Sequence, residues 1–248
     1  MNFRVLGPLF ACWFSCLALS AESTAVPKEL KDVPASNFCK VVEGTTSRDG
    51  QLAAAVGLLR PGPLDWAKFR QEDGSFDFEE QEDGLANFLV DLRKDRVIAV
   101  LDAKHLCTRG TYNHESYHLA WSDDGKFLAE TQSWKLGTFT GMLYHLDVHA
   151  VISSMDLLPV AEEQLRVIAV KDHKVTRQRF DEHYAVTLSD VAVDSKGKVS
   201  MGVSAYVPKE DDPSFSAVMQ FTVQVDANGK LTPGKVEMKA TKTDESDE

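Results

Sequence analysis

The stretch YHLAWSDDGKFLAE, residues 117–130, decides the fold class. Two runs rich in apolar and aromatic residues flank a short polar segment that contains an Asp-Gly pair. Glycine supplies the positive φ that a tight turn needs, and a nearby aspartate can accept hydrogen bonds from the turn backbone. The pattern predicts paired antiparallel strands over 117–121 and 126–131, with Gly125 in the turn and Trp121 largely buried.

The same turn pattern recurs along the chain, each time beside a run of β-forming residues. The other copies are SRDGQ at 47–51, DSKGK at 194–198 and DANGK at 226–230. Such a recurring hairpin predicts an antiparallel meander that is assembled from many short strands.

The segment AWSDDGKFLA resembles the WSPDGKxLA turn of TolB-type and WD-repeat β-propeller proteins. The resemblance covers only the residues around each turn, and it implies propeller-like hairpins in a binding or interaction protein. Asp123 stands where those repeats carry proline. Gly50, Gly125 and Gly197 are 75 and 72 residues apart, whereas a propeller blade takes about 40 to 45. We therefore expect propeller-like hairpins without a complete propeller.

One segment of the chain departs from the β pattern. Between residues 156 and 173 the apolar side chains recur at helical spacing, and Pro159 stands in the first turn, where its missing N–H costs nothing. Other β-rich runs lie at 86–102, 137–153 and 181–194. The predicted fold class is mainly β, an antiparallel meander plus one packed helix near 156–173.

Residues 1–21 have the layout of a secretory signal peptide. Arg4 precedes an apolar run that ends in two small residues, which is the order of a charged region, an apolar region and a cleavage site. We expect the mature chain to begin near Glu22 and to be exported, either to the periplasm or as a secreted protein. The alternatives are an uncleaved anchor and a lipoprotein signal that ends at Cys12 or Cys16.

The remaining chain is predicted to form one domain with short flanks. Residues 22–36 mix proline, serine and charge and predict an extended lead-in, and residues 37–240 predict a single β-rich domain. The acidic tail, 241–248, is predicted to be disordered. Residues 60–84 are acidic and contain several glycines and prolines, which indicates a long loop.

No second apolar stretch approaches the roughly 18 residues of a spanning helix, so no membrane span is expected after signal removal.

The charge of the chain bears on its partners, and its cysteines bear on disulfide formation. The formal net charge is −11, and loss of Arg4 with the signal makes it more negative. An acidic chain repels phosphate backbones, so nucleic acid is not an expected partner. Signal removal leaves Cys39 and Cys107. In an oxidising compartment this pair predicts one disulfide, with two buried free thiols as the alternative.

The string His114-Glu115-Ser-Tyr-His118 matches HExxH, in which two histidines on one helix face bind zinc and the glutamate acts as general base. The residues that follow run directly into the predicted hairpin. We therefore expect a strand here, and on a strand the two histidines would lie roughly 13 Å apart.

Two further groups of side chains are candidates for binding. His145, Asp147 and His149 alternate along a predicted strand and so share one face, either as metal ligands or as a solvated polar face. Trp134 and Lys135 lie in a polar segment that contains glycine, where an aromatic ring and a cation could hold an anionic or carbohydrate ligand.

These features favour an exported, non-enzymatic binding or interaction module of propeller-like type. We expect no cofactor, and the partner, a protein or a small ligand, is unknown from the sequence. The competing interpretation is a metal-dependent hydrolase in which Glu115 is catalytic and His114 and His118 are metal ligands.

Overall fold

The computed structural model describes residues 25–62, 85–103, 116–134, 137–147, 150–208 and 213–240. Within these ranges the protein is mainly β, as the turn pattern predicts. The strands are β1 (Cys39–Val41), β2 (Leu52–Leu58), β3 (Leu85–Asp91), β4 (Arg96–Val100), β5 (Ser116–Trp121), β6 (Phe127–Trp134), β7 (Gly137–Asp147), β8 (Ala150–Asp156), β9 (Ala185–Val193), β10 (Lys198–Tyr206), β11 (Phe215–Val225), β12 (Leu231–Pro233) and β13 (Glu237–Ala240).

The strands form three antiparallel sheets that follow one another along the chain. Sheet 1 has the order β1-β2-β3-β4, and sheet 2 has the order β5-β6-β7-β8. Sheet 3 has the order β12-β11-β10-β9, and β13 pairs with a second part of β11. Apart from the β11–β13 pair, neighbouring strands are consecutive in sequence, so each sheet is built as a meander.

The recurring turn has the same backbone geometry at all four positions. In each copy the glycine N–H donates to a carbonyl three residues earlier at 2.9 Å, and the glycine φ lies between +70° and +83°. The predicted positive φ of Gly125, at +70°, is confirmed. The strands on either side of that turn pair antiparallel from Ser116 with Ser133 to Trp121 with Leu128, as predicted.

The position of each turn within its sheet explains the long spacing between the copies. The turns at 47–51, 122–126 and 194–198 join the first and second strands of sheets 1, 2 and 3. The copy at 226–230 instead follows β11. Across the described residues the three sheets do not close into a propeller, which agrees with the expectation of an incomplete one. The family resemblance of the turns stays a prediction.

Sheet 2 is the middle layer of the molecule. One face packs on sheet 1 through Leu128, Met142, Tyr144 and Leu146, which meet Leu52, Ala54, Leu89 and Ala99. The other face packs on sheet 3 and on a helix through Phe127, Ala129 and Leu143. Both faces of β7 are therefore covered near its centre, and Gly141–Tyr144 is buried throughout.

The predicted helix is confirmed as α1 (Leu158–Asp172), with Pro159 in its first turn. Its buried side chains are Ala161, Leu165 and Ala169. A second helix, α2 (Arg177–His183), was not predicted, and its last three residues overlap the run at 181–194 that was expected to be strand. The Thr176 hydroxyl caps α2 by accepting from the Arg179 N–H at 3.1 Å, and Phe180 anchors the helix in the core.

Two local expectations are corrected by the structure. Trp121 is partly rather than largely buried, and its indole Nε1–H donates to the Thr45 carbonyl, between β1 and β2, at 3.0 Å. The described part of the predicted extended lead-in contains two short 3-10 helices, Lys28–Leu30 and Ala35–Asn37. Leu30 is fully buried against sheet 1, so this segment covers the outer face of that sheet.

Several predicted features lie outside the described residues. They are the signal peptide at 1–21, most of the insertion at 60–84 and the tail at 241–248. Among the residues that the structure describes, no helix is long and apolar enough to cross a membrane.

Candidate functional site

A cleft of about 540 Å³ opens where the first turns of sheets 1 and 2 come together. Side chains from both turns, from the end of β7 and from the start of β8 line it. The lining residues are Ser47, Asp49, Gln51, Leu52, Ile98, Asp124, Gly125, Lys126, His145, Leu146, Asp147, Ala150 and Ile152.

Matching hydrogen bonds hold the two turns that form the cleft walls. In sheet 1 the Ser47 hydroxyl donates to Asp49 Oδ1 at 2.7 Å and accepts the Leu52 N–H at 2.9 Å. In sheet 2 the Ser122 hydroxyl donates to Asp124 Oδ1 at 2.8 Å, and it likewise accepts a backbone N–H at the start of β6. Each wall is therefore preorganised by its own short sequence.

These hydrogen bonds also keep the two turn aspartates ionised. Donation from Ser47 is the main cause that lowers the pKa of Asp49, and the Gln51 N–H adds to it. For Asp124, desolvation opposes ionisation, but donors on Ser122 and Lys126 outweigh it and lower the pKa. Both carboxylates therefore present negative charge to the cleft in neutral solution.

An ion pair joins the two turns across the boundary between the sheets. The Arg48 guanidinium contacts the Asp123 carboxylate. Both side chains are largely exposed, at 72% and 78%, so solvent screens the pair and its contribution to stability is about 1 kcal/mol or less. The pair therefore adds little to the stability of the fold.

The cleft lining also contains an imidazole and several aliphatic side chains. The imidazole of His145 stacks on Phe127, with ring centroids 5.0 Å apart and an angle of 23° between the planes. Its Nδ1 atom is buried and has no hydrogen-bond partner among the described residues. Ile152 is 46% exposed despite its size, so the cleft offers an uncovered apolar surface.

The charged groups around the cleft are predominantly acidic. Asp49, Asp124 and Asp147 carry negative charge, and Lys126 is the one lysine or arginine in the described lining. Lys126 is also engaged, because its Nζ lies 3.4 Å from the Asp124 carboxylate. The surplus carboxylates favour a positively charged ligand over an anionic one.

The structure brings two of the predicted site residues into this cleft, His145 and Asp147. His149, the third member of that alternating set, lies outside the described residues. Trp134 is the last residue of β6, and Lys135 lies outside the described part of the chain.

The described part of the HExxH match lies in a strand. His118 is an exposed residue near the start of β5, where it pairs with Thr131. His114 and Glu115 lie outside the described residues. In the part of the chain that the structure describes, no three His, Cys, Asp or Glu side chains are grouped so that they could hold a metal ion.

Cys39, one of the two cysteines predicted to pair, is a free thiol at the start of β1. Burial raises its pKa far above the ordinary value, and the charge of Asp95 adds to the effect. The thiol is therefore a poor nucleophile. Its predicted partner, Cys107, lies outside the described residues, so the disulfide is not confirmed and stays a prediction.

Sequence reasoning did not find the cleft as a unit. The signal was present in the two Ser-x-Asp-Gly turns, at 47–50 and 122–125, but their proximity depends on how sheets 1 and 2 pack. No family model matches the chain, and no curated protein or solved structure matches it significantly. Function is therefore inferred from the residues of this chain.

Proposed function

We propose that this protein is an exported, non-enzymatic binding module, and that the cleft between sheets 1 and 2 binds a cationic ligand with an apolar portion. A short basic peptide segment has this chemistry. The cleft itself carries the proposal, because its lining combines three carboxylates with aliphatic side chains.

The two parts of the cleft would have different roles. Asp49, Asp124 and Asp147 would attract and pair with ammonium or guanidinium groups. Ile152 and the aliphatic side chains beside it would cover an apolar side chain of the ligand, which contributes roughly 25 cal/mol per Å² of apolar surface removed from water. Since hydrogen bonds already hold both turns, little ordering of the walls would oppose binding.

Export is the cellular part of the proposal. Its support is the N-terminal order of Arg4, an apolar run and small residues before Glu22. A periplasmic or secreted location gives the cleft access to peptides and other cationic molecules outside the cytoplasm.

The metal-dependent hydrolase is the competing proposal. It requires both histidines of the HExxH match to project from the same face of one helix. His118 lies in β5, whose register continues without interruption to Trp121. This strand geometry is the reason for preferring a binding module.

The test is a binding titration with a labelled Lys-Leu-Lys-Leu peptide and the mature protein. We expect Asp147→Asn to weaken binding about fivefold, the effect of losing one charge-assisted contact of about 1 kcal/mol. Asp147 is exposed at the end of β7, so its replacement should leave the fold intact. Added salt should weaken binding because it screens exposed charges.

Asp172→Asn is the matched control. Asp172 is an exposed carboxylate at the end of α1, outside the cleft lining, and its replacement removes the same charge from the protein. Binding that falls equally in both variants would show a general charge effect and contradict the proposal. Absence of peptide binding to the wild-type protein would contradict it as well.

A further inference from the structure

Glu130 is a fully buried carboxyl group at the centre of sheet 2. It lies on β6, on the face that packs against sheet 1. Its Oε1 atom accepts from the Tyr117 hydroxyl at 2.8 Å, and its Oε2 atom lies 2.6 Å from the Tyr144 hydroxyl. Oε2 also accepts the Ala103 N–H at 3.3 Å. The group thus joins β5 and β7 to the segment that leaves sheet 1.

The hydroxyl of Tyr144 lies between two carboxyl groups, those of Glu130 and Asp102. Its distance to Asp102 Oδ2 is 2.9 Å, and it accepts the backbone N–H of Asp102 at 2.9 Å. A phenol carries one proton and can donate to only one of the two carboxyl groups. Both oxygen contacts can be hydrogen bonds only when one carboxyl group carries a further proton.

The additional proton belongs on Glu130. Asp102 is only partly buried, whereas Glu130 is completely removed from water, and a buried carboxyl group avoids ionisation. Desolvation raises the pKa of Glu130 to about 7, although hydrogen bonds from Tyr144, Tyr117 and the Ala103 N–H oppose the increase.

The other titratable groups around Glu130 support this protonation pattern. Tyr117 faces it from β5, Tyr144 from β7 and Asp102 from the end of sheet 1. Burial is the largest cause that raises the pKa of both tyrosines well above the ordinary value, so both remain hydroxyl donors. A chain of hydrogen bonds then forms, in which Tyr117 donates to Glu130, protonated Glu130 donates to Tyr144, and Tyr144 donates to Asp102.

We propose that Glu130 is a proton-binding site that holds residues 101–103, at the exit of sheet 1, against sheet 2, so that release of its proton weakens the folded state. This proton-binding site is independent of the cleft and of its ligand. It makes the folded state more stable in mildly acidic than in mildly alkaline solution.

The direction of the pH effect follows from linkage. The pKa of Glu130 is raised from the ordinary 4.5 to about 7 by folding, so the folded state binds the proton more tightly than the unfolded state does. Stability therefore falls as pH rises through this interval, and it no longer changes once the folded carboxyl group has ionised.

The test is urea denaturation of the wild-type protein and Glu130→Gln at several pH values from 5 to 8. Glutamine keeps the shape and the donor to Tyr144 but cannot titrate. The ratio of wild-type to variant folding constants should fall by up to about tenfold per pH unit between about pH 5 and 7, and then level off. Glu237→Gln, an exposed residue of β13, is the control and should show no such trend.

A ratio that does not change with pH would overturn the proposal. Because Glu130→Gln could also fail to fold, a second measurement uses the wild-type protein with 13C-labelled glutamate carboxyl groups. One glutamate resonance should titrate near pH 7, and titration of every glutamate below pH 6 would overturn the proposal without any substitution.

Discussion

Replacement of Gly125 with valine tests the turn from which the hairpin of sheet 2 is built. The glycine has φ of +70°, and its N–H donates to the Ser122 carbonyl at 2.9 Å. No heavy atom lies within 4 Å of the position that a Cβ would occupy. A side chain therefore meets no obstacle, and the cost of the substitution is conformational.

The size of this cost follows from the left-handed backbone. An ordinary L-residue in that region loses about 1 to 2 kcal/mol relative to glycine. A β-branched side chain resists positive φ more strongly. We therefore expect Gly125→Val to lower the free energy of unfolding by about 1 to 3 kcal/mol. Gly125→Asn should lose less, since asparagine tolerates this region.

Urea denaturation at a fixed pH is the appropriate assay. Lys126→Ala is the neighbouring control, and it should change the free energy of unfolding by less than about 0.5 kcal/mol. Lys126 is 65% exposed, and its ion pair with Asp124 is screened by solvent. If Gly125→Val unfolds at the same urea concentration as the wild type, the assignment of this turn and its energetic role is wrong.

Three further predictions concern features that lie wholly or partly outside the described residues. N-terminal sequencing of exported protein should give a first residue near Glu22, and a chain that still begins at Met1 would refute cleavage. Thiol titration under denaturant, on protein from its native compartment, should find no free thiol at Cys39 or Cys107 if the predicted disulfide forms. Two free thiols would exclude the disulfide. Metal analysis of the purified mature chain should find no stoichiometric zinc, whereas zinc that disappears in His114→Ala would support the hydrolase.

The features that the sequence predicts well are those with local causes. A turn depends on a glycine and on an acid or serine within five residues, so four copies could be recognised without knowledge of the rest of the fold. The helix at Leu158–Asp172 has its own periodicity and a proline at its start. By contrast, α2 has seven residues and one buried side chain, Phe180, which is too short a pattern to distinguish from a strand.

The features that escaped prediction depend on packing between sheets. Glu130 occupies a strand position that could equally face solvent, and only the stacking of sheet 1 on sheet 2 removes it from water. The cleft has the same origin, because Asp49 and Asp124 are 75 residues apart in the chain. His145 and Asp147 could be placed together because they are close in sequence, but their neighbours could not be identified.

The sequential order of the three sheets has a consequence for how the chain folds during synthesis. Strands within each sheet pair with partners that precede or follow them closely, so each sheet can form after a short segment has left the ribosome. Such local pairing favours rapid folding, and domains generally fold from the N-terminus as they are made. Until sheet 3 emerges, however, Phe127, Ala129 and Leu143 lack their cover. Between the synthesis of β8 and that of β11, this apolar face of sheet 2 therefore lacks its native cover.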